Sequence, residues 1–276
     1  MLHEEVIVPL DGSELAERAI APATSLVQRD GSSITLVGVV TDDDLRGQKR
    51  YLHEVANRLG RTVGDIRVIL AEDAALGILR VVHERPDALL CMGAHGRGGL
   101  GEVLLGSVAN NVLRATTRPV LLVGRACRPG ELRFEKLLVS VDSSVLSEAI
   151  LPEAAAWVRA FGYELWLAQV IGSGPGAPPG SDVLEANYVR GVVAGLADQG
   201  VKAEWDVLHG DDAARAIVDY ATDQDMSLLA LSTHGRSGWA RLAVGSTAAK
   251  LVHDSPCPVL VVGPPHLGRA TDQPES

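Results

Sequence analysis

A glycine-rich stretch, MGAHGRGGLGEVLLGSV at residues 92–108, carries the strongest chemical signal in the chain. It contains the pattern G-x2-G-x9-G-[ST], formed by Gly93, Gly96, Gly106 and Ser107. At Gly93 the missing side chain would let a ligand approach the backbone, and at Gly96 the loop could turn with its N–H groups inward. A helix that begins near Ser107 would add free N–H groups and a positive dipole end. The pattern therefore predicts a phosphate-binding loop.

Two other nucleotide motifs fit less well. The P-loop needs a Gly-Lys pair, and the chain has none. Gly96, Gly98 and Gly101 match the dinucleotide fingerprint G-x-G-x-x-G, but that fingerprint should follow the first strand and open a helix directly. Here the glycines follow a fourth predicted strand, and a later copy of the segment has Ser237 and Ala240 at two of the three positions.

The turn PLDGS, after the first predicted strand, would form the opposite wall of such a site. In an open parallel sheet, ligands bind beyond the carboxyl ends of the strands. Two roles stay open for Asp11, which is either a ligand contact or a turn and cap residue. Two roles also stay open for Ser107, as a phosphate ligand or as a helix cap.

The whole pattern occurs twice in the 276 residues. EEVIVPLDGSELAERAI at the start returns as EKLLVSVDSSVLSEAIL from Glu135, so that Asp11 corresponds to Asp142. Each copy alternates apolar runs with amphipathic ones, which predicts α/β domains with parallel sheets. The predicted domains are residues 1–125 and 132–264, joined by a linker at 125–131. A first helix is predicted at 13–29.

Composition limits the partners. The net charge of −10 argues against nucleic acid or an anionic membrane as the main partner. The three cysteines lack metal-ligand spacing, so no metal site is expected. The start of the chain is unlike a signal peptide and no transmembrane run is found, which predicts a cytoplasmic protein.

On these motifs the chain resembles the universal stress protein family in its tandem form. The opening VIVPLDGSELAERAI and the segment MGAHGRGGLGEVLLGSVANNVLRATTRPVLLV carry the resemblance. It implies an adenine nucleotide α-hydrolase-like fold, with two open parallel five-stranded sheets in the order 3-2-1-4-5 and helices on both faces. It also implies ATP as the ligand, bound between the first and fourth strands, with Mg²⁺ as an optional companion of the phosphates.

The resemblance assigns residues to that site by position. In the first half they are Pro9, Leu10, Asp11, Val40, Met92, Gly93, His95, Gly96, Arg97, Gly106, Ser107 and Val108. Two of these keep a simpler alternative, since His95 is alternatively a brace for the loop and Arg97 a solvated surface charge.

The second half departs from the family pattern. Ser232 replaces the first motif glycine, where a Cβ would crowd the ribose, and Ser143 replaces Gly12. We therefore expect a second, weaker site. Its residues are Asp142, Ser232, Gly235, Arg236, Gly245, Ser246 and Thr247.

The sequence favours a nucleotide-binding regulatory protein over an enzyme, because it shows no organised nucleophile or second acid near the loop. Slow ATP hydrolysis or autophosphorylation stays open, as does an adenylyltransferase-like enzyme of related fold or a nucleotide-free scaffold.

The apolar strands PVLLVG and PVLVVG would be bare sheet edges, which invite pairing. They predict an internal pseudo-dimer of the two halves, and a further homodimer of whole chains.

Overall fold

The computed structural model describes residues 2–41, 44–96, 105–172, 181–233 and 244–263. Their strands form one sheet, in the order β3-β2-β1-β4-β5-β10-β9-β6-β7-β8. The strands are β1 (Glu5–Pro9), β2 (Ser33–Val40), β3 (Val63–Leu70), β4 (Ala88–Gly93), β5 (Val120–Val123), β6 (Lys136–Val141), β7 (Glu164–Ile171), β8 (Ala203–His209), β9 (Leu228–Ser232) and β10 (Val259–Val262).

Each half has the predicted strand order 3-2-1-4-5, and all neighbours within a half are parallel. The central strands are buried along almost their whole length, because helices cover both faces of a parallel sheet. The predicted pairing of the two apolar edges is present, as β5 pairs with β10 in antiparallel register around Leu121 and Leu260. The two predicted sheets are therefore one continuous sheet.

Helices lie in one layer on each face of this sheet. They are α1 (Glu14–Glu17), α2 (Ile20–Asp30), α3 (Leu45–Leu59), α4 (Ala74–Glu84), α5 (Ser107–Ala115), α6 (Leu151–Phe161), α7 (Ser181–Asp198), α8 (Ala213–Asp223) and α9 (Ser246–Asp254). Short 3-10 helices occupy Gly60–Thr62 and Ser147–Ile150. One apolar core lies under α2, α3, α6 and α7, the other lies under α4, α5, α8 and α9, and both include residues of each half. None of the helices described here is long and apolar enough to cross a lipid bilayer.

The helix predicted at 13–29 is two helices, α1 and α2, with the break at Arg18 and Ala19. Pro22 explains the break, because proline has no N–H to donate and its ring clashes with the carbonyl four residues earlier, that of Arg18. Pro152 has the same effect in the second half, where a 3-10 turn precedes α6. The prediction of one uninterrupted helix was wrong.

The segment between the halves is tied down along its length. The backbone N–H of Ala126 donates to the His253 carbonyl at 3.2 Å, and that of Arg128 donates to the Pro256 carbonyl at 2.9 Å. The N–H of Leu132 donates to the buried Ser25 hydroxyl at 3.0 Å. The predicted linker thus holds the two halves together through specific hydrogen bonds.

Candidate functional site

The loop after β4 is closed at its neck by one backbone hydrogen bond. The N–H of Gly106 donates to the Ala94 carbonyl at 2.8 Å. A Cβ added at Gly106 would lie 2.9 Å from that carbonyl oxygen and 3.2 Å from the Cα of His95, so only glycine allows the chain to close here. This requirement at Gly106 is one part of the predicted loop that the geometry explains directly.

Helix α5 begins immediately after this neck. Its N-cap is Gly106, which has no side chain, and the first helical residue is the exposed Ser107. The alternative in which Ser107 is the N-cap was therefore wrong, because the N-cap is the residue before it. Since glycine cannot cap with a side chain, the first N–H groups of α5 stay available to an anion. Val108, the next residue, is half-buried against the core under α4 and α5.

Asp11 forms a tight turn at the end of β1. Its Oδ1 accepts hydrogen bonds from the Ser13 N–H at 2.9 Å and from the Ser13 hydroxyl at 2.6 Å. The other oxygen, Oδ2, lies 2.5 Å from the position that a Cβ on Gly96 would take. The turn role of Asp11 is thus filled by one oxygen, while the other lies against the glycine loop.

A tyrosine holds the helices beside this turn. The hydroxyl of Tyr51 in α3 donates to Glu17 Oε1 in α1 at 2.8 Å. Burial, the hydrogen bond to Glu17 and the negative charges of Glu17 and Asp11 all raise the pKa of Tyr51, so the phenol keeps its proton. The Tyr51 proton is thus committed to Glu17, which joins α3 to α1 beside the turn.

The apolar residues assigned to the site lie mostly in the core. Leu10 is 2% exposed, and its N–H and carbonyl are bonded to the Val37 carbonyl and to the Gln48 side chain. Val40 ends β2, and its carbonyl accepts the Ala71 N–H at 3.1 Å. Met92 is also buried in the core, and Pro9 is buried at the end of β1. These residues therefore offer buried apolar side chains and strand backbone rather than polar side-chain contacts.

Position 93 requires glycine for a structural reason that the sequence interpretation missed. A Cβ at this position would lie 2.6 Å from the Leu15 carbonyl and 3.1 Å from the Cα of Ala16, both in α1. The missing side chain lets α1 pack on the end of β4. In the second half a 3-10 turn replaces α1, and Ser232 fits with 8% exposure. The expected crowding of a ribose by Ser232 stays a prediction.

The second half repeats most of the arrangement. Asp142 Oδ1 accepts from the Ser144 N–H at 3.1 Å and from the Ser144 hydroxyl at 2.6 Å. The N–H of Gly245 donates to the Thr233 carbonyl at 3.0 Å, and helix α9 follows with Ser246 and Thr247 exposed.

One difference is backbone strain. Ser143 has a φ of 64°, where the first half has Gly12 at 82°. A residue with a Cβ in this left-handed region costs roughly 1 kcal/mol. The hydroxyl of Ser143 accepts a hydrogen bond from Gln169 Nε2 at 2.7 Å, which helps to hold the strained turn.

Both halves match one family model. The model of the universal stress protein family matches residues 3–124 and again residues 133–263. The chain belongs to the universal stress protein family. Its two universal stress protein domains therefore account for nearly all of the described residues, and the resemblance read from the motifs is confirmed.

Relatives of similar architecture support this assignment. A universal stress protein of Mycobacterium tuberculosis is 29% identical over 198 residues, which span 67% of this chain and 68% of the relative. Another from Mycolicibacterium smegmatis is 25% identical over 219 residues, which span 76% and 73%. The crystal structure of a universal stress protein from Archaeoglobus fulgidus superposes with a TM-score of 0.70 at 19% identity, covering 95% of this chain and 99% of the other. That last likeness concerns the fold, which is the adenine nucleotide α-hydrolase-like one.

Three assigned residues of these universal stress protein domains, Arg97, Gly235 and Arg236, lie outside the described residues. Within the described ranges no group of three acidic, histidine or cysteine side chains is placed to hold a metal ion. The roles assigned to individual residues of either site remain predictions.

Two residues at the first site escaped the sequence interpretation. Gln48, in α3, is 8% exposed and donates from Nε2 to the Leu10 carbonyl at 2.7 Å, above the space left by Gly38. The available signal was a polar residue on an apolar helix face opposite a strand glycine. The other is His253, whose ring contacts His95 from the second half at a centroid distance of 5.8 Å. No local pattern connects residues so far apart in the chain.

Proposed function

We propose that this universal stress protein binds ATP in its first half and acts as a nucleotide-dependent regulatory protein. The carrying observation is the closed neck between Ala94 and Gly106, with the uncapped start of α5 directly after it and Gly96, within the same loop, against Asp11 Oδ2. Family membership supports the choice of nucleotide. Binding would stabilise the folded form by several kcal/mol once ATP greatly exceeds its dissociation constant, and this would couple the state of the protein to ATP.

The described residues fit a phosphate chain. Gly96 and Gly106 leave no side chain in the loop, and the exposed Ser107 offers a hydroxyl and a backbone N–H at a helix start. Backbone N–H groups bind phosphate without adding charge to a chain whose net charge is −10. In the proposal Arg97 supplies a positive charge, and Mg²⁺ enters with the phosphates when it is present.

Adenosine would occupy the side of the site formed by Pro9, Asp11 and Val40. In the proposal the Asp11 carboxylate, whose Oδ1 accepts hydrogen bonds from Ser13, also accepts one from a ribose hydroxyl. The proposed contact of Val40 with adenine is through its backbone. In this proposal the buried His95 supports the loop from behind.

The second half would bind nucleotide more weakly. Its Asx turn and loop neck are intact, but its turn includes the strained Ser143. A ligand that contacts Asp142 therefore needs a turn that is already strained at Ser143. The turn of the first half has Gly12 in the same conformation, without the penalty of a Cβ.

Mass spectrometry of the purified chain, followed by calorimetric titration with ATP, tests this function. We expect one tight equivalent per chain, lost in Gly106→Val and kept in Gly245→Val. The two variants are matched, since each places a side chain against a loop-neck carbonyl, at 2.9 Å from Ala94 and 3.1 Å from Thr233. Equal losses in both variants would refute the asymmetry, and no heat with any adenine nucleotide would refute the binding.

Turnover and assembly are separate parts of the proposal. We expect phosphate release far slower than the median turnover of enzymes, about 10 s⁻¹, because the described residues near the loop include no activated nucleophile. Rapid ATP turnover would make the protein an enzyme.

The proposed homodimer would use the outer strands β3 and β8, since β5 and β10 already pair with each other. Light scattering that gave the mass of a single chain would remove this part alone.

A further inference from the structure

Helix α9 connects two distant places in the molecule. Its N-terminus follows the loop neck of the second half, where Gly245 donates to Thr233. Its C-terminal turn lies against the first half, where a Cβ on Gly124 would collide with the Val252 carbonyl. The next carbonyl, that of His253, accepts the Ala126 N–H at 3.2 Å. The last turn of α9 is thus fixed on the first half by backbone contacts.

The side chain of His253 reaches the glycine loop of the first half. Its ring meets the ring of His95 edge to face, with centroids 5.8 Å apart and an interplanar angle of 78°. His253 Nδ1 lies 2.7 Å from Asp254 Oδ1, and because an ionised carboxylate only accepts hydrogen bonds, Nδ1 carries the proton. The carboxylate of Asp254 therefore fixes the orientation of the ring that contacts His95.

His95 transmits this contact to the proposed phosphate loop. It is 6% exposed and lies between Ala94, whose carbonyl closes the neck, and Gly96, which lies against Asp11. A shift of the His95 ring would therefore move the backbone on both sides. Resting on the proposed function, we infer that His253, oriented by Asp254, is a positioning residue from the second half that sets the phosphate loop of the first half.

The two positions of α5 that match His253 and Asp254 hold neither a histidine nor a carboxylate. Helix α5 corresponds to α9 position by position from Ser107 and Ser246, and it carries Arg114 and Ala115 where α9 carries His253 and Asp254. The second half thus contributes a histidine and a carboxylate beside the first half, and α5 carries neither at the matching positions. Arg114→Ala is therefore the internal control, because it removes the exposed side chain at the matching position of α5.

The experiment compares ATP with adenosine, which lacks the phosphates, on the full chain. An edge-to-face ring pair is worth about 0.5–1.5 kcal/mol, so His253→Ala should weaken ATP binding about two- to tenfold. Adenosine affinity should fall much less than ATP affinity, because adenosine lacks the phosphates that the loop neck at Ala94 and Gly106 would hold. His253→Phe, which keeps an aromatic ring, should restore most of the ATP affinity, and Arg114→Ala should bind ATP like the wild type.

The outcomes separate this inference from the proposed function. If the wild type binds no ATP, the proposed function fails and the inference fails with it. If the wild type binds ATP and His253→Ala binds it equally well, only the inference is overturned. Equal losses for ATP and adenosine would also overturn it, because they would show a general structural effect rather than loop positioning.

Discussion

Replacing Gly124 by alanine should loosen the junction between the two halves. Gly124 follows β5, and a Cβ there would lie 3.0 Å from the carbonyl carbon of Val252, with the Val252 oxygen closer still, and 3.3 Å from the His253 oxygen. All of these atoms are backbone of α9, so no side-chain rotation relieves the clash. Either α9 moves away from the first half or β5 moves away from β10.

The cost can be worked from these contacts. Overpacking a close-packed site costs about 1–3 kcal/mol. Displacement of α9 also breaks the hydrogen bond from Ala126 to His253, which is worth about 1 kcal/mol. We therefore expect Gly124→Ala to reduce the free energy of unfolding by about 2–4 kcal/mol. Gly263→Ala, whose Cβ would lie 2.7 Å from the Thr116 oxygen, should cost less, about 1–2 kcal/mol.

Urea unfolding followed by two probes measures this effect. The four tryptophans all lie in the second half, so their fluorescence reports that half, whereas far-ultraviolet circular dichroism reports both. The two transitions should coincide in the wild type and separate in Gly124→Ala. Gly195→Ala is the control, because its Cβ meets nothing within 4 Å and removing a helix glycine should stabilise α7 by about 0.5–1 kcal/mol. An unchanged midpoint for Gly124→Ala would refute the reasoning.

Three further predictions concern stability and the thiols. Burial lowers the pKa of His3 below its ordinary 6.5, although the charge of Asp30 opposes the shift. As the pH falls, the unfolded chain therefore binds a proton at His3 before the folded chain does, so the free energy of unfolding decreases below about pH 6.5. The free energy of unfolding, measured with urea at two pH values, should change less with pH in His3→Gln than in the wild type, and an equal change would contradict this. Burial raises the pKa of every cysteine thiol, so a disulfide reagent at pH 8 should modify none in the folded chain and three after unfolding; one fast thiol would count against it. These thiols are Cys91, Cys127 and Cys257. Asp73→Ala should destabilise the protein by about 1 kcal/mol by removing the cap on the Leu76 N–H, while Asp73→Asn keeps the cap and should cost much less.

Short-range patterns predicted most of the fold correctly. The apolar runs predicted the parallel sheet of each half, because parallel strands covered on both faces need continuous apolar sequence. The strand order 3-2-1-4-5 came from the family resemblance and is confirmed. The repeat and the two apolar edges together predicted that β5 pairs with β10, and the structure adds that this pairing is antiparallel. The break before α2 was missed although Pro22 signalled it, since the amphipathic pattern continues through the break.

The structural reasons for the glycines of the candidate site were only partly predictable from the sequence. Gly106 is required by the loop neck, as the spacing indicated, yet Gly93 is required by α1, which packs from another part of the sequence. Glycine spacing alone cannot distinguish space for a ligand from space for a neighbouring helix. The contact between His95 and His253 was beyond sequence reasoning, because it depends on how the two halves dock.

The antiparallel pairing of β5 with β10 has a consequence for how this molecule can change over evolutionary time. Were the same surface shared by two identical subunits, any substitution in the last helix would alter both ligand sites at once. Fusing the subunits into one polypeptide gives each copy its own residue, as Arg114 and His253 illustrate. One half is then free to specialise as a ligand receptor while the other becomes its support.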